Sequence, residues 1–258
     1  MPQNEYIPQS YEVDNTFTES VSALYLRSSK KSHRPIKFTF EALRPGLFRT
    51  TFTSPEHPLP PHPSVPRPAA TATTNGYHAK HSTSPTSKTI RNEDSIATVS
   101  WEDVPIVSLR FDDSKEVLHA DLPNRSYVLD GPGVARYTCY NRNTLHVGLG
   151  EKAAPMNLSN RKFSIDTTDC FGYNTHLTDP MYKHIPLLIN ATPQGCVATF
   201  SSSHSRGSYS IGAEMDGLWG HYKVRCIKAL YISDLLTQER SIVRTMGDWR
   251  SISSLGKH

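Results

Sequence analysis

Between Pro35 and Leu43 the apolar residues Ile36, Phe38 and Phe40 alternate with the polar residues Lys37, Thr39 and Glu41. Alternation with period two sends successive side chains to opposite faces, so this segment predicts a half-buried strand. Arg44-Pro45-Gly46 is a turn signal and Leu47 to Thr53 resumes the strand pattern, which makes the pair a hairpin. Val21 to Arg27 is a further strand. Downstream, runs rich in β-branched and aromatic residues begin at Ser95 and recur at Val104 to Phe111, Glu116 to Ala120, Ser126 to Leu129 and Val134 to Tyr140. They continue at Lys162 to Asp166, His184 to Asn190, Cys196 to Phe200 and Ser208 to Ala213. Asp112-Asp113-Ser114, Pro123-Asn124 and Asp130-Gly131-Pro132-Gly133 supply turns between them. Short strands separated by such turns predict a mainly β chain folded as an antiparallel β-sandwich.

Three segments fall outside that pattern. Residues 1–20 are polar and mixed and read as a flexible lead-in. Seven of the fifteen residues from Ser54 to Pro68 are proline, and Ala69 to Thr89 is mostly Ala, Thr, Ser, His and Lys. Proline removes backbone donors and little here can be buried, so residues 54–94 read as a disordered insert in a domain spanning 21–224. Ile227 to Met246 carries Leu230, Leu235, Leu236, Ile242, Val243 and Met246 at loosely helical spacing, which predicts a short helical or irregular tail over 225–258.

Composition narrows the class. Leu, Ile, Val and Phe total 55 of the 258 residues, and only Leu59, Val65 and Ile90 of these lie in 54–94, so the remainder can build one core. The formal net charge is +4, and the basic cluster Lys30, Lys31, His33, Arg34 and Lys37 has no interleaved aromatics, so a nucleic-acid partner is not expected. No run approaches the ~20 apolar residues of a spanning helix, and the first residues lack a basic start with an apolar core. The expected location is cytoplasmic, without membrane association. Cys139, Cys170, Cys196 and Cys226 are spread out with no C-x-x-C, so they read as small buried thiols rather than a disulfide framework or zinc site. No metal or other cofactor is expected. The phosphate-binding, serine-hydrolase and zinc-protease motifs are likewise missing from the chain.

The chemically informative stretch is 144–224. It contains Gly148-Leu149-Gly150-Glu151-Lys152, where glycines flanking a leucine permit a tight backbone path. It continues with Asp166-Thr167-Thr168-Asp169-Cys170-Phe171-Gly172-Tyr173 and with Asp179-Pro180-Met181-Tyr182-Lys183-His184-Ile185-Pro186. An acidic acceptor beside aromatic faces suits sugars, whose hydroxyls need strong acceptors while their C–H faces stack on rings. A structural turn accounts for the same residues.

The order and wording of these three motifs, continued by Tyr209-Ser210-Ile211-Gly212-Ala213-Glu214-Met215-Asp216-Gly217, resemble the N-terminal domain of glycoside hydrolase family 31, the α-glucosidase family. The resemblance implies a galactose-mutarotase-like sandwich that packs, in full-length members, on a catalytic (β/α)8 barrel. It implies that Asp169 lines the pocket for a terminal glucose, that Asp179 and Tyr182 are structural, and that His146 and Glu151 support the sandwich. It makes an α-glucoside or other carbohydrate the expected partner, together with the barrel if a longer form exists. Family members are retaining enzymes with a carboxylate pair flanking the scissile bond. The tryptophan contexts Trp101-Glu102-Asp103-Val104, Trp219-Gly220-His221-Tyr222 and Trp249-Arg250-Ser251-Ile252 do not match the nucleophile motif of the barrel. The expectation is therefore a truncated gene product, or a mispredicted terminus, with no catalytic residues of its own. A free-standing carbohydrate-binding or regulatory module is the alternative; an aldose epimerase would need a His acid and a carboxylate base in one cleft, and no motif supplies that pair.

Overall fold

The computed structural model describes residues 5–6, 11–14, 22–28, 36–44, 46–53, 79–101, 105–123, 125–130, 133–201, 206–213, 219–224 and 227–232. Among these residues the chain forms strands and no helix. The first seven strands are β1 (Glu5–Tyr6), β2 (Tyr11–Asp14), β3 (Ser22–Ser28), β4 (Ile36–Arg44), β5 (Leu47–Thr53), β6 (Lys80–Ser84) and β7 (Ser87–Asn92). Then come β8 (Ser95–Ser100), β9 (Ile106–Phe111), β10 (Val117–Ala120), β11 (Tyr127–Asp130), β12 (Gly133–Cys139) and β13 (Leu145–Gly148). The last six are β14 (Arg161–Ile165), β15 (Leu187–Thr192), β16 (Gly195–Ser201), β17 (Gly207–Ile211), β18 (Trp219–Val224) and β19 (Ile227–Ile232).

All pairings are antiparallel. One sheet runs β13-β15-β16-β19-β5-β4-β3-β2, a second β1-β11-β12-β18-β17-β14 and a third β10-β9-β8-β7-β6. An isolated bridge between Asp121 and Thr138 ties the third sheet to the second. The core is shared by all three sheets. Alternation in β4 and β5 buries Phe38, Phe40, Phe48 and Phe52 on one face. The Phe52 ring stacks on Tyr127 of β11 at 4.5 Å and 5°, and Phe38 meets the same ring edge-on at 5.8 Å. Ile90, Val99, Val107 and Leu109 of the third sheet join the same apolar cluster, as do Phe163, Tyr209 and Ile211 of the second. The expected antiparallel sandwich is what forms.

A buried charge cluster sits where the second and third sheets meet. Arg136 on β12 donates from Nε to Asp121 Oδ1 at 2.9 Å and also from Nη2, and the Val107 amide donates to Asp121 Oδ2 at 2.9 Å. Arg136 Nη2 lies 3.2 Å from His119 Nε2. Burial, reinforced by the Arg136 charge, pushes the His119 imidazole down to about 3, so the ring is neutral and accepts from the guanidinium. Burial also raises the Asp121 carboxyl to about 6, against the pull of Arg136 and the Val107 amide.

Three boundaries differ from the sequence reading. Residues 80–84 and 87–92, expected within the disordered insert, are β6 and β7. Every β6 side chain is exposed, and β7 buries Lys88, Ile90 and Asn92 at period two with only one apolar residue among them. Pairing of β7 to β8 from Ser87↔Ser100 to Asn92↔Ser95 supplies what hydrophobicity does not. Residues 5–6 and 11–14, read as flexible, pair with β11 and β3. Residues 227–232, read as the start of a helical tail, form β19, inserted between β5 and β16 in the eight-stranded sheet. The stretches 54–78 and 233–258 lie outside the described residues. Of the cysteines, Cys170 is buried and Cys196 half-buried, whereas Cys139, expected to be buried, is exposed.

Candidate functional site

β14 leaves the sheet after Ile165 and the chain returns as β15 at Leu187, so residues 166–186 form a long surface loop. Its two arms are tied together. The Thr168 amide donates to Met181 O at 3.0 Å, Cys170 Sγ donates to Pro180 O at 3.1 Å, and the Tyr182 hydroxyl donates to Cys170 O at 2.7 Å. Asp169 therefore lies between two anchored neighbours, with its own side chain exposed. At the tip, Asn174 closes a turn: its amide donates to Thr178 Oγ1 at 2.8 Å and its Oδ1 accepts from the His176 amide at 2.9 Å.

The returning arm is fixed to the sheet by charge. Lys152 Nζ donates to Asp179 Oδ1 at 2.7 Å and to Ser164 O at 2.6 Å, while Asp179 Oδ2 accepts from the Ser164 amide. The Lys152 side chain is 3% exposed and its ammonium lies 5.8 Å from the centre of the Phe163 ring. A desolvated ammonium needs such partners. The Asp179–Pro180 peptide is cis. The Leu149 amide donates to Leu187 O at 2.8 Å, and a Cβ at Gly150 would stand 2.4 Å from Ile185 N. Gly148 and Gly150 thus hold the chain directly against the loop's last residues, the tight path read from the sequence.

Two residues beyond Asp169 stands Phe171, which is fully exposed, and Tyr173, Tyr182 and Ile185 are about half exposed. The Tyr182 phenol is pushed up by desolvation and then by the charge of Asp169, with smaller contributions that include Tyr173 and Glu151. These groups share one neighbourhood. An exposed carboxylate held among aromatic rings can accept hydrogen bonds from vicinal hydroxyls while a ring covers an apolar sugar face.

The remaining candidates divide by role. Asp179 and Tyr182 are structural bonding partners, as the resemblance implied. His146 is buried, bonds Asn190 Oδ1 through Nδ1 at 2.7 Å and stacks on Tyr140. Glu151 is exposed on the loop side. Two features were missed: Lys152 as the buried cation of the loop, and the Asp121–Arg136–His119 cluster. Lys152 stood in a quoted motif, and its pairing with an acid was the readable signal; nothing in the sequence marks the other cluster. In that cluster Asp121 Oδ1 accepts from Arg136 and Oδ2 from the Val107 amide. Among the described residues no group of three His, Cys, Asp or Glu side chains could hold a metal ion.

The fold and the loop define a β-sandwich that projects an acidic, aromatic-flanked loop from one sheet end. The sequence model of the glycosyl hydrolase 31 N-terminal galactose mutarotase-like domain matches residues 37–209, and the chain belongs to that family. No curated protein matches it. Among solved structures, a Flavobacterium johnsoniae family 31 dextranase complexed with isomaltotriose is similar at a TM-score of 0.66 and 14% identity. That likeness covers 89% of this chain and 27% of the dextranase. The cycloalternan-forming enzyme from Listeria monocytogenes, in complex with a pentasaccharide substrate, is similar at 0.67 and 10% identity, over 90% of this chain and 21% of the enzyme. A glucosidase II alpha subunit, bound to Glc1Man2, gives 0.64 and 12%, over 88% and 33%. The chain thus spans between a fifth and a third of the length of these proteins, and at such identities the likeness speaks for the fold.

Proposed function

We propose that the chain serves as the accessory sandwich of an α-glucosidase-type glycoside hydrolase, presenting Asp169 to a carbohydrate at the mouth of a catalytic barrel, and that it is inactive alone. The observation that carries this reading is the position of Asp169, exposed between Thr168 and Cys170, which are both held to the opposite arm of the loop. A carboxylate fixed in this way is preorganised to accept from two hydroxyls, each charge-assisted bond contributing about 1.5 to 3 kcal/mol. The exposed Phe171 and Tyr173 beside it supply stacking faces. Expressing the sandwich joined to the barrel of a family member tests the assignment. Asp169→Ala should lower kcat/KM at least about tenfold with Tm unchanged, one such bond's worth. Full activity in that variant would refute the role. The unjoined chain should leave aryl α-glucosides intact, and turnover lost on mutating one of its own carboxylates would refute inactivity.

A further inference from the structure

We propose that Glu151 is a second sugar-contacting carboxylate beside Asp169, and that the two together accept a neutral oligosaccharide of at least two sugar units in preference to a single glucose. This rests on the reading of Asp169 given above. The resemblance made Glu151 a support of the sandwich, but its side chain is exposed and, among the described residues, makes no hydrogen bond or ion pair. The supporting contacts belong to the residues on either side of it.

Those contacts fix its backbone. Gly150 has φ +73° and stands so close to the returning arm of the loop that a Cβ there would lie 2.4 Å from Ile185 N and 3.2 Å from His184 Cα. Lys152 is buried, with Nζ on Asp179 Oδ1 and Ser164 O. Glu151 is therefore carried on a rigid segment pressed against the returning arm, with its own side chain in solvent. Asp169 reaches the same arm from the outgoing side, because Cys170 O accepts from the Tyr182 hydroxyl at 2.7 Å. Tyr182 is the common element. Its ring is about half exposed, and its phenol is raised first by desolvation, then by Asp169, with Glu151 among the smaller contributors. Both carboxylates thus act on one exposed ring.

A carboxylate accepts and does not donate, so two of them without an ion-pair partner select a guest rich in donors. Sugar hydroxyls meet that need, and the exposed rings of Phe171 and Tyr182 suit the C–H side of a pyranose. The nearby Lys152 ammonium is already engaged by Asp179. Acceptors carried by two separate segments of chain suit a guest longer than one ring, with Asp169 on the terminal sugar and Glu151 on the next.

Titrating the ¹⁵N-labelled full chain with maltotriose and, separately, with D-glucose, followed by amide shifts, tests the pair. Saturable shifts are expected at Gly150, Glu151, Asp169 and Phe171, with maltotriose bound at least about fivefold more tightly than glucose, the worth of one hydrogen bond. Glu151→Ala should abolish that preference, and Glu151→Gln, which keeps a neutral acceptor, should retain part of it. Glu116→Gln, at an exposed carboxylate in the turn between β9 and β10, should leave it unchanged. Asp169→Ala should weaken both sugars. If Asp169→Ala weakens both sugars while the preference survives Glu151→Ala, or if the parent binds both sugars equally, the proposal is overturned and the reading of Asp169 stands. If Asp169→Ala alters neither sugar, the reading of Asp169 falls and the proposal with it. Absence of shifts with both sugars up to their solubility limits overturns both.

Discussion

Lys152 and Asp179 stand 27 residues apart in sequence and 2.7 Å apart in space, Nζ to Oδ1. The pair unites two motifs that the sequence presents separately, Gly148-Leu149-Gly150-Glu151-Lys152 and Asp179-Pro180-Met181-Tyr182. Both serve one purpose, to clamp the arms of the 166–186 loop against β14.

The clamp is asymmetric, because the Lys152 side chain is 3% exposed and that of Asp179 20%. Asp179→Ala leaves a buried ammonium and the Ser164 amide without their carboxylate, and should cost about 3 to 5 kcal/mol. Lys152→Met fills similar volume with apolar atoms and leaves a carboxylate that still bonds the Ser164 amide and reaches water. It should cost about 1 to 2 kcal/mol. Urea denaturation of both variants checks the order. Equal losses would mean that the loop, not the ammonium, sets the energy.

Two glycines with the same backbone conformation separate strain from contact. Gly150 and Gly172 both have φ near +73°, but a Cβ at Gly150 would meet Ile185 N at 2.4 Å and one at Gly172 would meet nothing within 4 Å. Gly172→Ala should cost only the left-handed penalty, about 1 to 2 kcal/mol. Gly150→Ala adds a backbone collision and should cost at least about 2 kcal/mol more, read from thermal unfolding of the two variants.

How much of this was legible follows from where the signal lay. Alternating Ile36, Phe38 and Phe40 announced β4 because that strand buries one face and wets the other. The glycines around Leu149 announced a close approach, and the loop holding Asp169 was marked by the end of the β14 pattern. β7 was unreadable because its buried positions are Lys88, Ile90 and Asn92, whose period of two is invisible to hydrophobicity. β19 was misread because a short apolar run such as Ile227 to Ile232 suits helix or strand alike. Pairing with β5 and β16, residues far away in sequence, decided it.

Acid should destabilise the fold through His119. Its folded pKa is depressed to about 3, so its contribution is fully present above its ordinary value of 6.5 and is lost as pH falls towards 3. Asp121 works in the opposite sense. Its folded pKa is raised to about 6, so that contribution is present below 3.8 and is lost as pH rises through 6. The larger shift belongs to His119. His119→Gln removes it, so the stability of the variant minus that of the parent should rise by about 3 kcal/mol between pH 7 and pH 4. Calorimetry across that range measures the difference. A difference independent of pH would mean that the His119 pKa is the same in the fold as in the unfolded chain, contrary to its burial beside Arg136.

Finally, β7 is part of the core although its composition suggests a linker. Ile90 is fully buried in the shared apolar cluster, and the strand pairs with β8 along its whole length. Ile90→Ala should cost about 2 to 5 kcal/mol, the range for a large-to-small change in a core that cannot fully collapse. Thr83→Ala on β6, where every side chain is exposed, should change stability by less than about 0.5 kcal/mol. Removing residues 80–92 as a block goes further, since β8 keeps β9 but loses β7 and becomes the open edge of its sheet, the kind of surface that invites association. The expected result is loss of a cooperative melting transition and concentration-dependent aggregation. A deletion variant that melted cooperatively near the parental Tm would show that β6 and β7 form an appendage whose burial of Ile90 contributes nothing to the sandwich.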